Sequence, residues 1–323
     1  MRAPQIEVLL DSDWAQSSLI ADVRRGLGSR PLTLPPRWLY DDHGSQLFDQ
    51  ITKLDVYYPF TAERTILELH AEEIVAASGA TSLIELGSGT SEKTRLLLDA
   101  FANTGQLERF APVDVSEQTL REAAAAIAQR YPSVDVVAVV GDFTLHLAHL
   151  PQGGRRMVAF LGGTIGNLYR EERGAFLGAL ADVLEPGDSL LLGTELGKSP
   201  ERLLAAYPDE AGSTAAFIGN TLTVLNRELS ADFDPHAFAY IPFWDPHMQR
   251  IDMRLRAQSP QRVQIPGADL ELNLATGEEI RVEISTKFQI QGIADELEAV
   301  GLQVARTWTD LQEDFALTLA MRG

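Results

Sequence analysis

A glycine-rich turn is the first stretch whose residue types could do chemistry: GSGTSEKT, residues 87–94, follows the mainly apolar run 82–86. Gly87 and Gly89 permit close approach of a ligand to the backbone, as in phosphate-binding and dinucleotide-binding loops. Both of those signatures require a glycine where this sequence has Glu92. We expect Glu92 in the first turn of the next helix, where its carboxylate would repel a phosphate. The turn therefore favours a ligand that lacks phosphate and carries a positive centre.

Acidic residues end the next two predicted strands. Asp114 can accept hydrogen bonds from both hydroxyls of a ribose, which is also a feature of NAD-binding proteins. Asp142 can accept a hydrogen bond from the amino group of an adenine, while Phe143 packs on the base. Either acid alone could simply form a turn or cap a helix. Together with the glycine turn, the ordered set indicates S-adenosylmethionine (SAM), which has a sulfonium, an ammonium, a ribose and an adenine but no phosphate.

Composition excludes several other classes of function. The net charge of −19 argues against binding to nucleic acid or to an anionic membrane. With 0 cysteines the chain has no disulfide, no thiolate zinc site and no cysteine nucleophile. His146 and His149 share a predicted helical face, but no third ligand accompanies them, so we expect no metal site. The N-terminus has no long apolar stretch, and we expect a cytoplasmic monomer that acts on a small molecule.

The order of predicted elements indicates an α/β fold with an insertion. From 81 to 194 short apolar strands alternate with amphipathic helices, which is typical of a doubly wound, largely parallel sheet. After residue 196 a helical stretch is followed by strands without intervening helices, and the alternation returns near 291. We therefore predict a Rossmann-like core at 62–196 and 287–323. Residues 1–61 and 197–286 are predicted to form an inserted α+β domain that binds the substrate.

Several longer stretches carry a more specific resemblance. They are LPPRWLYDDHGSQLFDQITKLDVYYPFTAE, IELGSGTSEKTRLLLDA, VVGDF, FLGGTIGN, LLLGTEL and EEIRVEISTKF. In this order, and over essentially the whole chain, the sequence resembles the L-histidine N-alpha-methyltransferase family of ergothioneine biosynthesis, which are class I SAM-dependent methyltransferases. The resemblance implies three methyl transfers from SAM to the α-amine of L-histidine, giving hercynine and S-adenosyl-L-homocysteine.

The resemblance also implies a role for individual residues. The cofactor would be bound by Tyr40, Gly87, Lys93, Asp114, Asp142 and Phe143. The histidine backbone would be bound by Tyr57, Gly162, Asn167 and Tyr207, and its imidazole by Met253, Glu283 and Ser285. Tyr40 and Asn167 would lie at the reacting amine. The stretch LGGTIGN departs from the family pattern in one position, with Gly163 where serine is expected.

Each substrate residue also has an interpretation without function. Tyr57 could be a core aromatic residue, and Asn167 could form a turn. Glu283 and Ser285 alternate along a strand with Arg281 and Lys287 beside them, which could be a solvated strand edge.

The alternative functions are an NAD-linked oxidoreductase, a SAM-binding scaffold without activity, and a methyltransferase for another amino acid or related amine. A cofactor titration separates the first from a methyltransferase. Turnover with histidine excludes the second, and only the residues around the imidazole distinguish histidine from other amines.

Overall fold

The chain forms two compact units. The computed structural model describes residues 3–11, 13–209 and 211–323. The first unit consists of Met1–Asp11, Pro59–Gly197 and Phe288–Gly323, and the second of Ser12–Tyr58 and Lys198–Lys287. Within the described ranges, none of the helices is both long and apolar enough to span a membrane.

The strands and helices have the following bounds. The strands are β1 (Gln5–Val8), β2 (Leu32–Thr33), β3 (Ser82–Leu86), β4 (Arg109–Asp114), β5 (Asp135–Val140), β6 (Arg156–Phe160), β7 (Ser189–Glu195), β8 (Phe238–Asp245), β9 (Arg250–Ala257), β10 (Gln261–Ile265), β11 (Leu270–Leu274), β12 (Glu279–Thr286), β13 (Leu302–Thr309) and β14 (Phe315–Arg322). The α-helices are α1 (Trp14–Leu27), α2 (Asp42–Ile51), α3 (Tyr58–Ser78), α4 (Thr94–Thr104), α5 (Glu117–Arg130), α6 (Arg170–Val183), α7 (Pro200–Ala205), α8 (Ser213–Leu229) and α9 (Ile290–Ala299).

The first unit is built on one twisted sheet with the order β1-β5-β4-β3-β6-β7-β14-β13. Strands β1 to β7 of this sheet pair in parallel, and β14 joins antiparallel to both β7 and β13. Successive residues of β3 enter different cores, Leu83 in one and Ile84 in another, so apolar side chains are buried on both faces of the sheet. The direction of the strand order reverses between β3 and β6, and the carboxyl ends of strands at such a point are where open α/β sheets bind ligands.

The N-terminal strand belongs to this sheet. Residues 1–61 were predicted to lie with the inserted domain, but β1 pairs in parallel with β5, from Gln5 opposite Val137 to Val8 opposite Val140. A segment of four residues carries no alternation of strand and helix, so its partner could not be read from the sequence.

The second unit contains a four-stranded sheet with the order β2-β12-β9-β8 and a hairpin of β10 and β11. Helices α1 and α8 contribute to the core of this unit, for example through Leu19 and Leu222. A β-bulge interrupts the pairing of β12 with β9 between Arg281 and Glu283. Because an extra residue shifts the alternation, side chains on either side of a bulge point to different faces than a regular strand predicts.

Candidate active site

The glycine turn follows β3 at the point where the strand order reverses. Gly87 and Gly89 have φ angles of +65° and +49°, in the left-handed region that favours glycine. The amide of Gly87 donates to the Val113 carbonyl at 2.9 Å, which ties the turn to the neighbouring strand. A side chain added at Gly89 would meet no atom within 4 Å, so this backbone borders open space. The turn therefore offers exposed backbone to a ligand.

Asp114 lies beside this turn. Its Oδ2 accepts the Gly89 amide at 2.8 Å and its Oδ1 accepts the Ser116 amide at 2.9 Å. Burial raises the pKa of the Asp114 carboxyl, and these backbone amides partly oppose the rise. A carboxylate fixed by backbone donors retains lone pairs for further hydrogen bonds, as a ribose diol requires. The structure thus brings Asp114 and the glycine turn together.

Asp142 and Phe143 follow the end of β5, which lies two strands from β3. The Asp142 carboxylate is buried and accepts the amide and the hydroxyl of Thr144 at 2.8 and 2.6 Å. The Phe143 ring packs edge-on against Phe160 and Phe176, with centroids 5.1 and 5.9 Å away. Phe143 also lies near the turn, because a side chain added at Gly87 would meet its ring at 3.5 Å.

Glu92 does not lie where the sequence predicted it. Helix α4 begins at Thr94, so Glu92 precedes the helix, and its half-exposed side chain lies 3.6 Å from the Arg64 guanidinium. Glu92 therefore does not lie in the first turn of the helix, and the prediction that it repels a phosphate from there is wrong. Ser91, with a φ of +52°, still belongs to the turn and delays the start of the helix.

Lys93 is bound to a buried carboxylate that sequence reasoning missed. Glu63 of α3 is fully buried, and its Oε2 accepts the Lys93 ammonium. Its two carboxylate oxygens also accept the Gly162 amide, at 2.8 and 3.0 Å. An acid on the apolar stripe of α3, beside Ile66 and Leu67, is the signal that could have identified Glu63.

Glu85 is the second acid that the sequence reasoning left out of the site. It is buried in β3 and accepts hydrogen bonds from the Ser91 hydroxyl, at 2.7 Å, and from the Thr94 hydroxyl. Burial raises the pKa of the Glu85 carboxyl to about 7. A carboxylate inside an otherwise apolar strand was the available signal.

The loop after β6 carries the predicted substrate residues of the first unit. Gly162 and Gly163 have φ angles of +80° and +71°, and a short 3-10 helix ending at Asn167 follows them. The departure at Gly163 has a physical reason, because a side chain there would be strained and would lie 3.4 Å from the Phe315 ring. Asn167 is half-buried at the end of this loop.

The predicted aromatic residues of the second unit lie around Phe48 of α2. The Tyr40 ring lies 5.5 Å from Phe48 and 5.2 Å from Phe217, edge to face in both cases. The Tyr57 ring lies 6.3 Å from Phe48, on the same cluster. The rings of Tyr40 and Tyr57 are thus both held by packing against Phe48.

The predicted imidazole residues lie on one face of the second sheet. Glu283 stands directly opposite Met253, and Ser285 opposite Ile251. Glu283 is buried, not part of a solvated edge, with 7% of its surface exposed. Beyond the bulge, Arg281 pairs with Arg254 on the opposite, charged face, so Arg281 does not lie beside Glu283 as the simple alternation implied.

Lys287 and Tyr240 join these residues. The Lys287 ammonium donates to the Tyr207 hydroxyl at 2.5 Å and to the Ser285 hydroxyl at 2.7 Å. Tyr240 lies on the same face of the sheet as Met253, and its buried hydroxyl has no hydrogen-bond partner in the part of the chain that the structure describes. Burial and the nearby Glu283 raise the pKa of Tyr240. Among the described residues, no group of three or more His, Cys, Asp and Glu is placed to hold a metal ion.

The sheet of the first unit and its glycine turn at the switch point define a class I methyltransferase fold. Residues 19–322 match the model of the family described as histidine-specific, SAM-dependent methyltransferases, and the chain belongs to that family. Its SAM-dependent methyltransferase class, predicted from the glycine turn and the acids at the strand ends, is thereby confirmed.

Curated relatives extend this comparison. The chain is 52% identical over 313 residues to a histidine N-alpha-methyltransferase of Mycolicibacterium smegmatis, covering 97% of this chain and 98% of that protein. It is 50% identical over 313 residues to a histidine N-alpha-methyltransferase of Mycobacterium tuberculosis, with the same coverage. It is also 26% identical to an L-tryptophan methyltransferase of Psilocybe serbica, covering 99% of this chain and 98% of that protein.

Proposed function

We propose that this enzyme transfers three methyl groups from SAM to the α-amine of L-histidine, giving hercynine in the first step of ergothioneine biosynthesis. The observation that carries the proposal is the buried face of the second sheet, where Glu283, Ser285 and Met253 gather. A carboxylate and a hydroxyl on one face can bind the two nitrogens of an imidazole, and Met253 can pack against the ring.

The cofactor half of the proposal rests on the first unit. The exposed backbone at Gly89 and the fixed carboxylate of Asp114 fit a ribose-bearing ligand, and Asp142 with Phe143 fits an adenine. Lys93, held by Glu63, would face the carboxylate end of the cofactor. When bound, SAM supplies an activated methyl group on a positively charged sulfur.

The residues of the chain then have to position the amine. In-line transfer needs the lone pair of a neutral amine about 3–3.5 Å from the methyl carbon. In the first unit, Gly162 and Asn167 are the residues proposed to bind the amino-acid backbone. In the second unit, Tyr57 and Tyr207 are proposed for the same role and Tyr40 for contact with the amine. Each transfer to a protonated amine requires loss of a proton, so hydrogen-bond acceptors at this position contribute to rate.

Mass spectrometry of L-histidine incubated with the enzyme and SAM tests the proposal. We expect products with one, two and finally three added methyl groups. If the enzyme methylates tryptophan or another amine but not histidine, it is a methyltransferase of the same family with a different substrate. We also propose that the enzyme acts without nucleic acid or a membrane, as a monomer in the cytoplasm.

A further inference from the structure

Lys287 is a buried cation among the predicted substrate residues. It follows β12 directly and has 4% of its surface exposed. Its ammonium donates to Tyr207, which was predicted to bind the histidine backbone, and to Ser285, which was predicted to bind the imidazole. The ammonium also lies 4.9 Å from the centre of the Tyr207 ring. A single charge therefore connects the two parts of the predicted substrate site.

The hydrogen bonds from Lys287 determine whether the Tyr207 and Ser285 hydroxyls donate to a ligand or accept from it. An ammonium only donates hydrogen bonds, so the oxygen atoms of Tyr207 and Ser285 act as acceptors toward Lys287. The proton of each hydroxyl must then point away from the ammonium. Both side chains are thereby oriented as donors toward any neighbouring group.

A donor at Ser285 complements the acceptor at Glu283. Glu283 lies two residues earlier on β12, opposite Met253 on the same buried face. A ring that satisfies both residues must donate from one nitrogen and accept at the other, which describes a neutral imidazole. An imidazolium has two N–H donors and no acceptor, and a second cation next to the Lys287 ammonium is disfavoured in a buried site.

We propose that Lys287 is a positioning and specificity-determining residue, which orients Tyr207 and Ser285 as donors and so selects an α-amino acid with a neutral imidazole. This inference rests on the proposed function. On the same face, Tyr240 lies within reach of the charges of Glu283, Asp209 and Tyr57. Asp209 accepts the amides of Ser213 and Thr214 at the start of α8.

Calorimetric titration of L-histidine into enzyme saturated with S-adenosylhomocysteine tests the proposal. For the wild type we expect the affinity to fall about tenfold from about pH 7.5 to about pH 5.5, since free imidazole titrates near 6.5. In Lys287→Met the Ser285 hydroxyl can turn and accept, so the affinity should change less than about threefold over that range. At the higher pH, histidine should bind this variant about 10- to 100-fold more weakly, with SAM affinity unchanged.

A matched control is Lys198→Met. Lys198 also makes a lysine–tyrosine hydrogen bond in this unit, to the Tyr58 hydroxyl at 3.0 Å. We expect this variant to retain the wild-type histidine affinity and its pH dependence. Equal effects of the two substitutions, or a Lys287→Met variant with wild-type affinity and pH dependence, would overturn the proposal.

A measurement on the wild type covers the case in which Lys287→Met does not fold. Nitrogen NMR of ¹⁵N-labelled histidine in the same complex should show a neutral ring at about pH 5.5, below the pKa of free imidazole. A bound imidazolium would contradict the inference. Methylation of histidine by the wild type is measured first: its absence refutes the proposed function, whereas an active enzyme with a bound imidazolium refutes only the role of Lys287.

Discussion

Two carboxylates at the glycine turn have different surroundings, and we expect different roles for them. Asp114 is held by the backbone amides of Gly89 and Ser116. Glu85 is held by the hydroxyls of Ser91 and Thr94 within the strand itself. We therefore assign Asp114 to the ligand, whereas Glu85 holds the turn through Ser91 and Thr94.

Replacing Asp114 with alanine should weaken SAM binding by about 1–3 kcal/mol, the usual effect of removing a charged hydrogen-bond partner. The fold should survive, because the residue lies at a strand end and not in the core. Calorimetry of SAM binding measures the effect, with Glu68→Ala as a control, since Glu68 forms an exposed pair with Arg64 in the same unit. Unchanged SAM affinity in Asp114→Ala would refute its assignment to the cofactor.

We expect the buried carboxyl of Glu85 to make the free energy of unfolding depend on pH. Burial raises its pKa from the ordinary 4.5 to about 7, so the folded state binds this proton more tightly than the unfolded state. The contribution of Glu85 to the free energy of unfolding is therefore present below about pH 4.5 and is lost as the pH rises to about 7, with a size of about 3 kcal/mol.

Glu85→Gln removes this titration. We expect the variant to lose less stability than the wild type between about pH 4.5 and about pH 7.5, in urea unfolding without cofactor. Parallel pH profiles of the two proteins would contradict the raised pKa of Glu85.

We expect Glu283 to determine which amino acid the enzyme accepts as substrate. An imidazole presents nitrogens to both the Glu283 carboxylate and the Ser285 hydroxyl, whereas the side chain of tryptophan has one nitrogen and that of phenylalanine none, so the site should reject both amino acids. Glu283→Ala, combined with Met253→Val to make room, should weaken histidine binding by about 1.5–3 kcal/mol and reduce the discrimination against tryptophan.

Steady-state kinetics with histidine and tryptophan measure both effects. Glu279→Ala serves as the control, because Glu279 lies on the same strand but pairs with Arg254 and Arg256. Unaltered histidine KM together with unaltered rejection of tryptophan in Glu283→Ala would leave Glu283 without a role in specificity.

At the scale of elements, Glu63 connects α3 to two loops of the first unit. Its carboxylate binds Lys93 before α4 and the Gly162 amide after β6. Glu63→Gln keeps an acceptor for Gly162 but removes the charge that compensates Lys93. Because breaking a buried ion pair leaves an uncompensated charge, we expect a loss of about 3–5 kcal/mol in unfolding free energy and weaker SAM binding.

The buried pair of Arg156 and Asp188 provides the comparison for this prediction. It lies in the same unit, with Arg156 Nε 2.7 Å from Asp188 Oδ2. Asp188→Asn should also lower the free energy of unfolding but should leave the SAM affinity of the folded enzyme unchanged. An equal loss of SAM affinity in both variants would mean that Glu63 acts only through general stability.

At the scale of the whole molecule, each unit has its own apolar core. The residues predicted to bind the cofactor, other than Tyr40, all belong to the first unit, so ligand binding there should stabilise the protein in a cofactor-specific way. SAM at 100 times its dissociation constant should add about 2.7 kcal/mol, a rise of a few degrees in Tm, whereas NAD should add nothing. Thermal unfolding with each ligand measures this, and a rise with NAD alone would favour the oxidoreductase.

The sequence by itself determined the α/β class, the glycine turn and the acids at the strand ends. These features are local: alternating strands and helices dictate a parallel sheet, and parallel strands bring their carboxyl ends to one edge, so Asp114 and Gly89 had to be neighbours. Their hydrogen bond of 2.8 Å follows from that arrangement.

Only the tertiary structure decided which charged residues are buried. Lys287 and Tyr207 are 80 residues apart, and Gly162 and Glu63 are 99 apart, so no local pattern indicated either contact. The bulge in β12 likewise separated Arg281 from Glu283, although simple alternation put them on one face. A charge on a strand or helix looks solvated in the sequence, because burial depends on packing against distant segments that supply its partner.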